Sequence, residues 1–409
     1  MPAGLSAAFT PVKLGPLTLR NRFIKTATNE GGAPGELPSA ALKRHHVRMA
    51  EGGVGMTTVA YCAVSPDGKT FTDQLRLAPE WLPEFKAITD AVHKSGAAVS
   101  AQITHGGCFT FLPELSTGAP LSASGGFNKV GLMNGRFFKK QMNADDMRVR
   151  IGEFVQAAKL AREAGFDAVE LHMGHGYLLS QFLSPAYNQR RDAYGGDAAR
   201  RAKFPAEVLR AVLDAVGNDL AVTAKIGVYE GFEGGGTAED AVVVARTLER
   251  EGVHMIMLSG GMNVEAVSQL FGSNMPAEAA TQSASGIMKL ATAIMKHSEP
   301  KVEFREMYFL EHSRKVRAAV KTTLTFLGGV KSAESAARAM DEGFDCIALG
   351  RALLFDPNFV NAMAANANAR SGCTTCNRCI PTIYHPAGTH CPVRDKPDVE
   401  LNQKSAAAA

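Results

Sequence analysis

The sequence lacks a marked excess of charge, long apolar runs and long basic runs. Its 409 residues carry 44 Lys and Arg against 40 Asp and Glu, a net charge of +4. No Lys/Arg-rich stretch stands out, which argues against a nucleic-acid-binding protein. The longest apolar stretches are the size of a strand, too short for a transmembrane helix. A hydrophobic content of 45% argues against a disordered chain.

A secretory signal is also lacking at the N-terminus. The first residues, MPAGLSAAFTPVKLGPL, show no basic region followed by an apolar one. The seven cysteines are an odd number in a chain without this signal. They are therefore expected to be reduced thiols or metal ligands rather than a disulfide framework. We expect a cytoplasmic protein.

Glycine, in contrast, is abundant. The 40 glycines exceed the usual share of about 7% and show no collagen-like period. Such an excess indicates many tight turns, or backbone that approaches a ligand closely. Gly165, Gly252 and Gly343 each follow a helical stretch and precede an apolar one. They are expected to end helices in the left-handed conformation.

Short apolar runs alternate with longer helical stretches along the chain. The predicted strands are Phe23–Thr28, Gly55–Ala60, Ala98–Thr104, Ala168–His172, Ala221–Ile226, Met255–Leu258, Thr323–Gly328 and Cys346–Gly350. The predicted helices include Ala144–Ala164, Ala199–Val216, Ala238–Glu251, Phe304–Val320 and Ala333–Glu342. Eight such repeats predict an α/β fold, the (β/α)8 TIM barrel. A doubly wound sheet is less suitable, because the glycines after the first strand have the wrong spacing for a dinucleotide site.

Three segments depart from this alternation. Phe9–Asn21 predicts a hairpin that plugs the N-terminal end of the barrel. Gly106–Asn143 is rich in Gly, Pro, Ser and Asn and predicts a long irregular lid or substrate loop. We expect residues 1–364 to form the barrel and residues 365–409 a Cys-rich extension whose end, KSAAAA, is disordered.

The densest cluster of polar residues follows the fourth predicted strand. His172, His175 and Tyr177 stand there within six residues. Polar residues at the carboxyl end of a barrel strand are catalytic candidates. A structural role for one His, with Tyr177 as packing, is the plainer interpretation. Zinc ligation is another alternative, but no third ligand of the HExxH type accompanies the pair.

At this point the sequence resembles the Old Yellow Enzyme family of FMN-dependent oxidoreductases. The segment HMGHGYLLSQFLSPAYNQRRDAYGG, residues 172–196, is similar to the family's signature. Further similar segments, in the family's order over about residues 8–360, are Asn21–Ile24, Gln102–Gly107, Leu327–Gly329 and Leu349–Pro357. The resemblance implies a TIM barrel with FMN at its C-terminal face and NAD(P)H as reductant.

The resemblance also implies roles for individual residues. His172 and His175 would polarise the substrate, and Tyr177 would donate a proton. The residues implied in FMN binding are Ala27, Thr28, Gln102, Lys225, Gly328, Gly329, Gly350 and Arg351. Two positions depart from the family: Lys225 stands where Arg is usual near flavin N1 and O2, and Asn29 stands where one subgroup has a flavin-tuning Cys.

Four cysteines lie close together near the C-terminus, at Cys373, Cys376, Cys379 and Cys391. Their spacing resembles that of the 4Fe-4S ligands in the dienoyl-CoA reductase and trimethylamine dehydrogenase branch. One residue is missing between the second and third Cys. Three interpretations stay open: a 4Fe-4S cluster, a structural zinc, which accepts four thiolates, or no metal.

The expected activity is reduction of an activated C=C bond of a small molecule by NAD(P)H through FMN. One alternative is an FMN and 4Fe-4S enzyme that exchanges electrons with a separate electron-transfer protein, in amine demethylation or dienoyl-CoA-type reduction. That partner is expected because only 18 residues follow Cys391, too few for an FAD-binding region. A flavin-less barrel that only binds is the non-enzyme alternative. We expect a homo-oligomer, with no nucleic-acid or membrane partner.

Overall fold

The structure is a computed structural model that describes residues 2–31, 33–276, 301–385 and 388–394. Within these residues, eight parallel strands close into a barrel in the order β10-β11-β12-β13-β3-β4-β5-β9. The strands, numbered along the chain, are β1 Val12–Leu14, β2 Leu17–Leu19, β3 Phe23–Lys25, β4 Met56–Ala63, β5 Ala98–Thr104, β6 Leu121–Ser122, β7 Gly126–Phe127, β8 Phe138–Gln141, β9 Ala168–Met173, β10 Ala221–Gly227, β11 Met255–Ser259, β12 Leu324–Phe326 and β13 Cys346–Leu349. The predicted TIM barrel is confirmed.

Helices follow the barrel strands, as the right-handed crossover of a β/α unit requires. In the described chain they are α1 Ala3–Ala8, α2 Ala40–Glu51, α3 Leu82–Lys94, α4 Gly131–Asn134, α5 Ala144–Glu163, α6 Leu178–Leu183, α7 Ala198–Arg201, α8 Lys203–Val216, α9 Ala238–Arg250, α10 Val267–Phe271, α11 Leu310–Arg317, α12 Ala333–Asp341, α13 Arg351–Phe355 and α14 Phe359–Ala365. Short 3-10 helices span Pro34–Glu36, Pro66–Gly68, Pro79–Trp81 and Pro381–Tyr384. Among these helices, none combines the length and apolar character needed to cross a lipid bilayer.

All eight predicted strands exist, but several boundaries were wrong. β3 ends at Lys25 rather than Thr28, because Thr28 turns to donate hydrogen bonds to the Glu30 carboxylate. The helix predicted to begin at Phe304 begins at Leu310, because Met307 has a positive φ of 62°, which no helix accommodates. The helix predicted from Ala199 is divided into α7 and α8.

The predicted hairpin is confirmed, and it lies at the N-terminal end of the barrel. β1 and β2 pair antiparallel. Leu14 and Leu19 are buried in one cluster with Ile24, Met56 and Met255 of the barrel strands. A barrel of eight strands is filled by side chains. The hairpin therefore adds a layer of apolar packing that closes one end and leaves the other for ligands.

The segment Gly106–Asn143 is more ordered than the sequence predicts. It contains α4 and a small sheet in the order β6-β8-β7. The glycines predicted to end helices behave as expected, since Gly165 and Gly343 have φ values of 81° and 84°. The end of the chain predicted to be disordered lies outside the described residues.

Candidate active site

One cavity of about 410 Å³ lies at the carboxyl ends of the barrel strands. Cavities of about 300–1,000 Å³ are typical of small-molecule and cofactor sites. The predicted site residues that line it are Ala27, Thr28, Gln102, His172, His175, Tyr177, Lys225, Gly329, Gly350 and Arg351. Gly328 is not among the lining residues, and a Cβ at this position would lie 2.9 Å from the Phe309 ring. Ala27 and Arg351, 324 positions apart in the chain, thus share one wall.

His172, His175 and Tyr177 form a compact group in this cavity. The ring centroids of His172 lie 4.6 Å from Tyr177 and 5.0 Å from His175. His172 Nδ1 is buried and has no hydrogen-bond partner among the described residues. His175 Nε2 lies 2.8 Å from Ser259 Oγ. Ser259 thereby orients the second imidazole, and Nδ1 of the first is available to a ligand.

Both imidazoles are held neutral. Burial, together with the neighbouring His175 imidazole and the Lys225 charge, places the pKa of His172 well below its usual 6.5. Burial and the Lys225 charge lower the pKa of His175 to about 3. A neutral imidazole carries one N–H donor and no charge. The pair can therefore donate hydrogen bonds to a substrate oxygen over the whole physiological pH range.

Gln102 and Lys225 are joined through Glu170, a residue that the sequence analysis did not single out. Glu170 Oε1 accepts a hydrogen bond from Gln102 Nε2 at 2.7 Å and lies 3.1 Å from Lys225 Nζ. Lys225 also donates to Thr26 Oγ1 at 3.0 Å. The predicted cation beside the cavity is therefore part of a buried ion pair. Glu170 could have been found from the sequence, because it stands two residues before His172 on the same strand, and alternate residues of a strand point to the same face.

Ala27 and Thr28 are placed by a second buried carboxylate. Glu30 accepts hydrogen bonds from the Thr28 backbone N–H at 3.2 Å, from Thr28 Oγ1 at 2.8 Å and from the Ala60 N–H at 2.6 Å. It also forms an ion pair with Lys25, and both side chains are almost fully buried. A buried charge is costly unless it is paired and hydrogen-bonded, so this network holds the loop after β3 in one position.

The predicted phosphate contacts lie on the opposite side of the barrel mouth, after β12 and β13. Gly329 has a φ of 84°, and a Cβ there would come within 2.8 Å of Tyr308. Only glycine fits this turn, which exposes its backbone to the cavity. Arg351 donates to Phe271 O at 2.6 Å and to Asn377 Oδ1. The glycine turns and the Arg351 cation fit the phosphate end of FMN. The unpaired Nδ1 of His172 fits the polar ring system at the other end.

Comparisons with known proteins decide the family. The model of the NADH:flavin oxidoreductase / NADH oxidase family matches residues 7–293. The 4,4'-dithiodibutanoate disulfide reductase of Rhodococcus erythropolis is 39% identical over 394 residues, which cover 95% of each chain. The chain belongs to the NADH:flavin oxidoreductase family.

Other similar proteins are more distant or longer. The NADH oxidase of Thermoanaerobacter brockii is 31% identical over 90% of this chain, which spans 52% of that relative. The old yellow enzyme homologue of Zymomonas mobilis has the same fold, with a TM-score of 0.70 at 18% identity over 95% of this chain and 98% of that one. The predicted family is confirmed, and the chain is an FMN-dependent oxidoreductase. The binding-module alternative is therefore wrong.

The four predicted metal ligands lie together beside this large cavity. Cys373, Cys376, Cys379 and Cys391 line a small cavity of about 20 Å³, and within the described part of the chain none of the four is in a disulfide. Burial and the three neighbouring thiols raise the pKa of Cys379 to about 12, which Arg351 opposes. Within the described residues, no three Cys, His, Asp or Glu side chains converge as a metal centre requires. The thiols are thus neighbours but not a formed tetrahedral set.

Proposed function

We propose that this NADH:flavin oxidoreductase reduces an activated C=C bond of a small molecule, with NADH or NADPH as the reductant. The observation that carries the proposal is the pair of neutral imidazoles beside Tyr177, in the cavity that also holds Gln102, Lys225 and Arg351. Activation of a C=C bond by an adjacent carbonyl or nitro group requires donors to that oxygen. The two imidazoles supply such donors without a competing positive charge.

The side chains divide the reaction between them. FMN bound in this cavity would supply the hydride-transfer chemistry that amino-acid side chains lack. His172 and His175 donate hydrogen bonds to the substrate oxygen, where negative charge develops as the β-carbon is reduced. Ser259 holds His175 in position through Nε2. The Tyr177 hydroxyl, on a ring 4.6 Å from that of His172, donates the proton that the α-carbon takes up.

A half-reaction experiment tests this proposal. The purified protein is reduced with NADH or NADPH without oxygen and then mixed with 2-cyclohexenone in a stopped-flow spectrometer. We expect the flavin absorbance to bleach in the first step and to return rapidly in the second. A protein without flavin, or reoxidation that the enone does not accelerate, would contradict the proposal.

Disulfide reduction is a second candidate, favoured by the relative that matches 95% of both chains. Reductive cleavage of a disulfide by NADH and one proton yields two thiols and NAD⁺. The neutral imidazoles and Tyr177 could then donate protons to the departing thiolates. In the same stopped-flow experiment, rapid reoxidation by 4,4'-dithiodibutanoate and slow reoxidation by the enone would favour this candidate.

We further propose that the four cysteines bind a metal, as a 4Fe-4S cluster or a zinc ion. Their common cavity supports this, and a metal must displace the thiol protons to bind. A cluster would allow electrons to pass between FMN and a separate protein. Iron, sulfide and zinc analysis of the protein and of Cys376→Ser tests the idea. We expect metal in the former and less in the variant, and a wild-type protein without metal would refute it.

A further inference from the structure

The cysteine segment, residues 371–385 and 388–394, forms part of the wall of the flavin cavity. The residues of this segment that line the cavity include Cys373, Cys379, Ile380, Ile383 and Thr389. Thr389 donates hydrogen bonds to the backbone oxygens of Asn29 and Glu30, in the loop that carries Ala27 and Thr28. The segment therefore contacts the cavity at the loop after β3 as well as beside Arg351.

Asn377 is the central contact of this segment. It stands between Cys376 and Cys379, is only 1% exposed and has a left-handed φ of 58°. Its Nδ2 donates to Ser273 O at 2.8 Å and to Ser273 Oγ at 3.0 Å. Its Oδ1 accepts a hydrogen bond from Arg351. Both ends of the amide are thus used, one to anchor the residue and the other to hold the arginine.

Arg351 is fixed by this contact and by the end of α10. It donates to Phe271 O at 2.6 Å, and its guanidinium lies 5.8 Å from the Phe271 ring centroid. A guanidinium has five N–H donors in a rigid fork. These bonds set the plane of the fork and leave donors for an anion in the cavity.

Lys331 is a second cation that the same segment holds. It stands two residues after Gly329, lines the flavin cavity and donates to the Cys373 backbone oxygen at 2.8 Å. An ammonium group has three donors, so the bond to Cys373 leaves two for other acceptors. Both cations beside the glycine turns thus have an acceptor in the cysteine segment.

We propose that the cysteine segment builds the phosphate-binding end of the flavin site, with Asn377 as the positioning residue for Arg351 and the Cys373 carbonyl as the anchor of Lys331. The inference rests on the proposed placement of FMN, with its phosphate at the glycine turns. Without Asn377 the guanidinium loses its fixed plane. Binding of the phosphate then weakens, while binding of the ring system at Gln102 and Lys225 does not.

The test compares FMN with riboflavin, which lacks the phosphate. Dissociation constants of both flavins are measured on the apoprotein by fluorescence quenching, and their ratio reports the phosphate contribution alone. We expect Asn377→Gly to reduce the preference for FMN by about tenfold or more, since a hydrogen bond to a charged group contributes about 1.5–3 kcal/mol. Glycine keeps the left-handed backbone, so the variant removes only the amide.

Thr375→Gly is the matched control. Thr375 also lines the cavity and has a φ of 58°, and its hydroxyl donates to its neighbour, Thr374 O. This variant adds the same backbone freedom to the same turn, and we expect it to keep the wild-type preference for FMN. If Asn377→Gly does not fold, the same ratio measured on Lys331→Met, with a similar expected loss, decides the question.

Two results would overturn the inference. One is an unchanged FMN preference in Asn377→Gly, and the other is an equal loss of FMN and riboflavin affinity, which would indicate a merely structural role. A wild-type protein that binds neither flavin, or that does not prefer FMN, would instead refute the proposed function on which the inference rests.

Discussion

At the scale of the single residue, Tyr177 has the most specific predicted role. It is buried and packs with Ala60 and Tyr61 in addition to His172. We expect Tyr177→Phe to keep this packing and remove the proton donor. Flavin reduction by NAD(P)H should be almost unchanged, while reoxidation by 2-cyclohexenone slows by about 10²-fold or more, the usual contribution of a positioned acid. Equal slowing of both half-reactions in stopped flow would show that Tyr177 is not the acid.

Glu170 is the residue that compensates the charge of Lys225. In Glu170→Gln the amide can still accept from Gln102, but the Lys225 ammonium is left without its 3.1 Å ion pair. An uncompensated cation stabilises the anionic reduced flavin. We expect the flavin midpoint potential to rise. The rise is about 30 mV for each ~1.4 kcal/mol by which the reduced flavin is stabilised, since the couple transfers two electrons.

Spectroelectrochemical titration of Glu170→Gln measures this shift. Glu239→Gln is the control, because Glu239 forms an exposed ion pair with Lys315 on the outer surface and should leave the potential unchanged. A potential that stays the same or falls in Glu170→Gln would contradict the role given to the carboxylate.

At the scale of the element, the hairpin β1–β2 contributes to the stability of the fold but not to the cavity. Leu14 is fully buried against the lower barrel layer, at the end remote from the cavity. Leu14→Ala should destabilise the protein by about 2–5 kcal/mol, the usual cost of a buried Leu to Ala change. Flavin affinity should not change. Thr18→Ala, at an exposed position of the same hairpin, is the control, and urea denaturation is the measurement.

A loss of flavin affinity in folded Leu14→Ala would show that the plug transmits strain through the barrel.

The opposite end of the molecule depends on different elements. There the loops after β3, β12 and β13 meet the cysteine segment, so a boundary at residue 365 between barrel and extension would cut through one cavity wall. We therefore propose that the two parts function as one unit.

At the scale of the whole molecule, buried histidines make stability depend on pH. Burial holds the pKa of His46 and His172 well below 6.5 and lowers that of His105 to about 3. Below pH 6.5 the unfolded chain binds protons that the native chain does not, so stability is present above 6.5 and is lost as the pH falls. Each such histidine lowers the free energy of unfolding by roughly 1 kcal/mol for each pH unit below 6.5.

Buried carboxyl groups act in the opposite direction. Burial raises the pKa of Glu230 to about 7 and also raises the pKa of Glu30. The strongly lowered histidines, His45, His46, His105, His172 and His175, outnumber the raised carboxyls, Glu30, Glu153, Glu207 and Glu230. The thermal midpoint should therefore fall between pH 7 and pH 5. His46→Gln should make this fall shallower, since glutamine can replace the hydrogen bond to Thr57 Oγ1. A midpoint that rises as the pH falls would contradict the assignment.

The local pattern of the sequence was sufficient for the barrel and the hairpin plug, and the family resemblance supplied most of the cavity wall. Alternating strand-sized and helical segments can bury their apolar residues in few ways, and polar side chains at strand ends must meet at one barrel face. His172, His175 and Tyr177 could be found for that reason. The boundaries at Lys25 and Leu310 could not be found, because the hydrogen bonds of Thr28 to the buried Glu30 carboxylate and the left-handed Met307 decide them.

What only the tertiary structure decided is pairing between distant residues. Glu170 joins Gln102 to Lys225 because β5, β9 and β10 are neighbours in the closed sheet. Asn377 reaches Arg351 and Ser273 because the cysteine segment folds back over the barrel mouth. No local spacing encodes such contacts, since the partners are tens of residues apart and only chain closure brings them together. The sequence by itself thus determined which chemistry this protein carries, and the fold decided which side chains hold it in place.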